Sequence, residues 1–425
     1  MDTKNLHARS SSKSIISLSF SNRQRSAKSR KSSHHRKNGA LIINVVLVCA
    51  TLAFTYNIHR LLLEPIVDDQ VISYMHLFQQ ENTANIKYRD IVIGAMQKMY
   101  HGDHLNKEYA KYIAEEGRDI MQRLPSFYNI SLPMIRNDEN ENDNKKITVR
   151  TRYPMICYCV CRNSLLFRYF LKKVVGDIHA NYFNMINIFR LNGGLPSKDN
   201  PYVFNGDLTD RGDHSIQCLL TALLIKIQCN ECLHLLKGNH ELSDFYHGML
   251  EKQVLELYDQ EIWEIVRDVL NLLPLGIVIE QKVIVMHGGL PSDNLTLQEL
   301  QSIKRTTDET EESRDQDLIE DIVWTDVMNE NGVMADDERG KSIGPDISRR
   351  FLQQNHLQYM IRGHSYRASG FSKSHEGRVV TLYSAPMRDS DHYGAFANIY
   401  SRNESIEIER FHGMDKSIEI DWESM

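Results

Sequence analysis

Acidic residues are nearly missing from the first 39 positions, where Asp2 stands against ten Lys and Arg. Charge of either sign is missing altogether from Asn38 to His59. The first absence, in a Ser-rich stretch without apolar periodicity, excludes a packed core and leaves residues 1–38 as a disordered basic tail. The tail also lacks interleaved aromatics, which argues against nucleic acid and leaves anionic lipid headgroups as its expected partner. The second absence suits a membrane-crossing helix at 39–58. A cleaved signal peptide fits poorly, because the preceding tail is long and no small-residue cleavage site follows. Lys and Arg on the N-terminal flank predict a type II topology, with the catalytic region luminal or extracellular beyond a stalk at 59–90. The alternatives are a mitochondrial inner-membrane span behind a presequence, or a cytosolic catalytic region. Among the seven cysteines, Cys229-x-x-Cys232 has no second ligand pair at suitable spacing, which excludes an ordinary zinc site. Cys218, in a helical stretch, is expected in the core.

Five short motifs follow in order: Gly176-Asp177-Ile178-His179, Gly206-Asp207-Leu208-Thr209-Asp210-Arg211-Gly212, Gly238-Asn239-His240-Glu241, His287-Gly288-Gly289 and Arg362-Gly363-His364. Each stands at the end of an apolar, strand-like run. Oxygen and imidazole ligands with one shared carboxylate are what two neighbouring divalent ions require. Asp177 and His179 would serve the first ion, Asp207 would bridge, and Asn239, His287 and His364 would complete the second. Manganese, iron and zinc all suit such a set. His240, oriented by Asp210, has the chemistry of an acid for a leaving alkoxide. Arg211 has the planar fork that grips phosphate.

In these motifs the chain resembles the PPP family of protein serine/threonine phosphatases. It is most similar to the branch containing the TPR-bearing and EF-hand phosphatases, through Leu191–Pro196 and Phe204–Asp207. Trp324, Glu338-Arg339-Gly340 and Tyr383-Ser384-Ala385-Pro386 extend the likeness across about 90–413. The resemblance implies an α/β fold, a calcineurin-like metallophosphoesterase β-sandwich flanked by helices. It also implies hydrolysis of phosphoserine and phosphothreonine in phosphoproteins by hydroxide activated between two metals, without a phosphoenzyme. Arg339 would be a second phosphate-binding arginine. Relatives with the same metal core cleave nucleotide polyphosphates or RNA caps, but those tend to carry Gly-Asn-His-Asp, whereas Glu241 stands here. An inactive phosphatase-fold scaffold is the remaining reading. No TPR repeat or EF-hand loop is present, so regulation of those kinds is not implied.

The chain departs from the family pattern in three places. Ala180 replaces the usual Gly after Asp-x-His, and Lys237 the usual Arg before Gly-Asn-His. After Pro386, Met387-Arg388 stands where an Asn-Tyr pair is usual, and Tyr393 is the one tyrosine able to take that place from a longer loop. Residues 150–173 are a further anomaly. They separate Lys145-Lys146-Ile147-Thr148-Val149, which resembles the family's first strand, from the motif it should feed. The segment reads either as retained intron sequence or as a hairpin insertion. The catalytic domain is expected at 91–415, with a short tail at 416–425.

Overall fold

The computed structural model describes residues 84–131, 171–246, 248–291, 295–306, 313–336, 340–386, 391–400, 405–414 and 417–425. All lie in one compact unit, 66–425. The expected membrane placement is corrected here. Among the described residues no helix is long and apolar enough to cross a membrane, and residues 1–58 lie outside them. Arg339, Met387, Arg388 and most of the 150–173 segment also lie outside the described residues.

Fourteen described strands build three sheets. They are β1 Phe127–Ile130, β2 Leu171–Val175, β3 Tyr202–Asn205, β4 Leu233–Leu236, β5 Gly276–Ile279, β6 Val283–Met286, β7 Asp326–Val327, β8 Val333–Asp336, β9 Gly340–Ile343, β10 Tyr359–Arg362, β11 Phe371–Ser374, β12 Val379–Leu382, β13 Gly394–Tyr400 and β14 Ile406–Phe411. One sheet runs β1-β5-β6-β10-β12-β11, a second β14-β13-β2-β3-β4, and a small third β7-β9-β8. Alternate side chains on a strand point to opposite faces, and this sorts the core into layers. Val174, Val203, Leu236 and Ile399 of the five-stranded sheet meet Ile277, Val285, Ile361 and Val380 of the six-stranded one. The sandwich expected from the sequence is therefore present. The opposite face of the five-stranded sheet, with Val175, Phe204 and Leu235, packs under helices at 84–100, 107–123, 182–191, 215–228 and 260–271. A third cluster covers the outer face of the six-stranded sheet with helices at 314–324 and 345–354.

Several sequence expectations need adjustment. The helix starting at Ala84 runs on to Tyr100 and buries Val92 and Met96, so the stalk expected at 59–90 overlaps a core helix. The apolar periodicity of Asp244–Leu270 reads as one helical stretch, but the segment forms three helices, Ser243–Tyr246, Met249–Leu257 and Gln260–Asn271. Gly248 and Tyr258 leave the helical region, and the Asp259 side chain caps the last piece by accepting from Ile262 N. The C-terminal residues pack rather than trail: Met425 is buried, its carbonyl accepts from Leu195 N at 2.9 Å, and Tyr100 donates to Ile418 O at 2.7 Å. Cys218 is buried as expected, and Cys229 is disulfide-bonded to Cys232.

Candidate active site

Parallel strands delivered side by side put the loops that follow them at one edge of the sandwich. β2, β3 and β4 are mutually parallel, as are β6, β10 and β12 across the gap. Each of the five motifs begins at such a strand end, so six ligand-type side chains converge from both sheets. The backbone there is strained: His179, Asp207, Asp210, Arg211 and His364 all have φ between 48° and 67°. Non-glycine residues hold such angles only where surrounding contacts enforce them. Close approach sets the glycines. A Cβ on Gly238 would lie 2.3 Å from Asp207 N, and one on Gly363 would lie 2.4 Å from Asp177 Oδ1.

Asp177, His179, Asp207, Asn239 and His287 are buried. Asp207 Oδ1 lies 3.2 Å from His287 Nε2, and Asp207 Oδ2 lies 3.6 Å from His179 Nε2. Asp177 Oδ2 is 3.8 Å from His179 Nε2. Asn239 Oδ1 meets both His287 Nε2 at 3.0 Å and His364 Nδ1 at 2.9 Å. His287 Nδ1 is anchored on Asn205 O at 2.8 Å, which turns its other nitrogen inward. Burial, then the neighbouring Asp207 carboxylate, pushes Asp177 up to about 6. Burial pushes His179 down to about 3. His287 goes the other way: although burial opposes it, Asp207 and Asp177 raise it to about 9.

These residues fit a metal pair. Asp177 Oδ2 and His179 Nδ1 are buried without a hydrogen-bond partner. Two triplets, His179–Asp207–His240 and Asp177–Asp207–His287, each bring potential ligand atoms within 4.8 Å of one another, and Asp207 belongs to both. A carboxylate shared by both triplets is what a bridging ligand needs. His364 joins through Asn239, and its backbone N–H donates to Asp177 Oδ1 at 3.0 Å.

His240 faces this cluster across Asp207. Its Nδ1 lies 2.6 Å from Asp210 Oδ2, and its Nε2 lies 2.9 Å from Arg211 Nη2. Arginine only donates, so Nε2 accepts and the ring proton sits on Nδ1, donated to Asp210. That bond draws Asp210 below the usual carboxylate range against its partial burial. Phe245 (centroid 4.7 Å from His240) and Trp324 (5.3 Å from His364) form an aromatic wall.

Sequence reasoning missed two residues that hold the site. Glu241 is buried and accepts from Asp207 N, Leu208 N, Thr209 N, Thr209 Oγ1 and Gly238 N. Arg362 is fully buried and donates to Gly288 O, Thr325 O, Ser365 Oγ and Asp326 Oδ1. Both stand inside the motifs, next to ligand-type residues that drew the attention. Tyr393 packs on His412 with ring centroids 4.3 Å apart and beneath Arg410. A tyrosine that does lie beside the ligand-type residues is Tyr383, 6.2 Å from His179, with Tyr366 5.1 Å beyond it.

The profile of the Calcineurin-like phosphoesterase family matches residues 173–368. Serine/threonine-protein phosphatase 5 of Rattus norvegicus is 37% identical over 257 residues, covering 57% of this chain and 50% of the relative. Serine/threonine-protein phosphatase 5 of Solanum lycopersicum is 32% identical over 305 residues, covering 70% and 47%. A solved protein serine/threonine phosphatase from Saccharomyces cerevisiae, described as similar to human phosphatase PP5, superposes with TM-score 0.61 at 25% identity. It covers 75% of this chain and 93% of that one. The chain spans about half the length of the curated relatives it matches. These matches lend no support to a membrane location or a lipid partner, and neither is retained. With the site geometry, they mark residues 173–368 as matching the Calcineurin-like phosphoesterase family and the chain as similar to PPP-family serine/threonine-protein phosphatases.

Proposed function

We propose that this chain is a metal-dependent protein phosphatase that hydrolyses phosphoserine and phosphothreonine. The observation that carries the reading is the convergence of Asp177, His179, Asp207, Asn239, His287 and His364 on one buried point, with the His240–Asp210 pair facing it. Asp177, His179 and Asp207 would hold one divalent ion; Asp207, Asn239, His287 and His364 would hold the other. When bound, such a pair draws a nucleophile from water at neutral pH and neutralises charge on the phosphoryl oxygens. Arg211, and by the family likeness Arg339, would orient the phosphate.

The protein's own part at the leaving group falls to His240. As a phosphate enters, Arg211 would turn from His240 Nε2 to the phosphoryl oxygens, leaving Nε2 free to take up a proton from solvent and form the imidazolium. Asp210 stabilises the imidazolium, and Nε2 delivers the proton to the departing serine or threonine oxygen. Phe245 packs against the His240 ring and Trp324 against Phe245, which holds that imidazole in place.

The test uses the full chain with manganese on a phosphothreonine peptide, p-nitrophenyl phosphate and diadenosine tetraphosphate. The peptide is expected to exceed the dinucleotide in kcat/KM by at least about 100-fold; the reverse order would make the chain a nucleotide hydrolase. His240→Asn should lower peptide kcat by about 10²–10⁴. Its effect on p-nitrophenyl phosphate should be much smaller, because nitrophenolate departs without a proton. Equal losses on both would remove His240 from the role of acid.

A further inference from the structure

An open cavity of about 350 Å³ adjoins the candidate metal site on the His364 side, lined by Asp326, Val327, Ser365, Tyr366 and Arg367. Its two charged residues are not equivalent. Asp326 is already committed: its Oδ1 accepts from Arg362 Nη2 at 2.9 Å and from the Ser365 hydroxyl. Arg362, buried and without solvent, cancels that carboxylate's charge. Arg367 is committed only to neutral groups, Nε to Ser372 Oγ at 2.9 Å and Nη1 to Tyr366 O at 2.8 Å. Those two bonds fix the plane of the guanidinium, and among the described residues no carboxylate pairs with it. Among the described residues the cavity thus carries a pre-oriented positive charge with no carboxylate partner of its own.

Tyr366 supplies its wall. The side chain is 41% exposed, its hydroxyl lies 2.7 Å from His392 Nδ1, and its ring packs edge-on against Tyr383. Tyr383 in turn lies 6.2 Å from His179 between ring centroids, so one intervening ring separates Tyr366 from the ligand-type residues, and Ser365 of the lining follows His364 directly in the chain. A side chain one or two residues from a phosphorylated residue has the reach to enter it, since neighbouring Cα atoms are about 3.8 Å apart.

We propose that Arg367 and Tyr366 form a subsite for an acidic side chain flanking the phosphorylated residue, so that the preferred substrates are phosphoserine or phosphothreonine segments with a neighbouring Asp or Glu. This rests on the protein-phosphatase reading above. A fixed guanidinium meets a carboxylate at little entropic cost, and Tyr366 packs along the stem of the same side chain. A lysine at that position would face Arg367 directly and be rejected.

The test compares kcat/KM for phosphothreonine peptides carrying Glu, Ala, Leu or Lys at each of the two positions on either side. At one of them Glu should exceed Lys by about fivefold to tenfold. In Arg367→Gln that ratio should fall below about twofold; a ratio taken within one enzyme is independent of how much of it is folded. Equal turnover of all four peptides, a preference for Leu, or an unchanged Glu-to-Lys ratio in the variant would overturn the subsite. Turnover of p-nitrophenyl phosphate with none of any phosphopeptide would overturn the protein-phosphatase reading, and this inference with it.

Discussion

Glu241→Gln is expected to disable the proposed phosphatase activity although Glu241 is outside the proposed ligand set. One carboxylate accepts five buried donors, from Asp207, Leu208, Thr209 and Gly238, and so ties the loop carrying the shared ligand Asp207 to the loop carrying Asn239 and His240. An amide turns one of the two acceptor oxygens into a donor. Oε1 serves Leu208 N, Thr209 N and Thr209 Oγ1; Oε2 serves Asp207 N and Gly238 N. Whichever is lost, at least two buried N–H groups are left facing an NH2. Each unsatisfied donor costs about 1–3 kcal/mol, so about 3–5 kcal/mol of local stability should go. The loops would then no longer hold Asp207 at φ 48°. The expected outcome is a fall in kcat/KM of at least about 100-fold and a melting temperature lower by roughly 6–12 °C. Steady-state kinetics and thermal unfolding on the same preparation would check it. A variant that matches the parent in both would show that the loops are held by other means.

Stability is expected to rise with pH between about 7 and 9.5, a range in which paired carboxylates, already ionised in both states, give no slope. The cause lies in β2. Lys172 and Lys173 are 3% and 4% exposed, and burial pushes both down to about 8. Lys226, also buried, is pushed down to about 7 by burial and by Lys172. Lys172 alternates with Val174, which places it on the face turned toward the six-stranded sheet. A lysine whose folded pKa lies below its unfolded pKa binds fewer protons when folded. The penalty is therefore complete below pH 8, where both states are charged, and is relieved as pH climbs toward the unfolded value of about 10.4. Between pH 7 and 9.5 each of the β2 lysines should return about 2 kcal/mol. Lys172→Met should be more stable at pH 7 and show a flatter pH profile in urea unfolding; an unchanged slope would mean that Lys172 is solvated after all.

The same strand bears on the 150–173 segment. Deleting those 24 residues would put Ile147-Thr148-Val149 directly before Val174, in place of Leu171-Lys172-Lys173. We propose that this shorter chain is the better folder, because it exchanges two buried lysines for Thr and Val. If it is less stable than the full chain at pH 7, the segment belongs to the fold.

How far the sequence could be read follows from where each signal lives. The ligand-type residues were legible because each motif couples a short apolar run to a glycine and a polar ligand, and the chain order matched a known pattern. The roles of Glu241 and Arg362 were not legible, since their partners are backbone groups from loops far apart in sequence. β5 escaped because Leu272–Ile279 is continuously apolar, as a strand buried on both faces must be, and shows no alternation to separate it from a helix end. β13 escaped because its buried residues include Gly394, Ala395, Ala397 and Asn398, which have little strand preference and are held by β2 and β14 on either side. The charge-free run at 39–58 was the clearest local signal in the chain, yet its expected membrane location found no support in the described helices or in the matched relatives.

The central claim is that Asp207 joins two metals whose presence makes the site a phosphatase. The measurement that tests it most directly is metal content per chain of the manganese-loaded protein and of Asp207→Asn, taken together with phosphothreonine-peptide turnover. About two equivalents in the parent, a clear loss of metal in the variant and a fall in turnover of at least about 10³-fold are expected. A parent that binds no divalent metal, or a variant that keeps both its metal and its turnover, would contradict it.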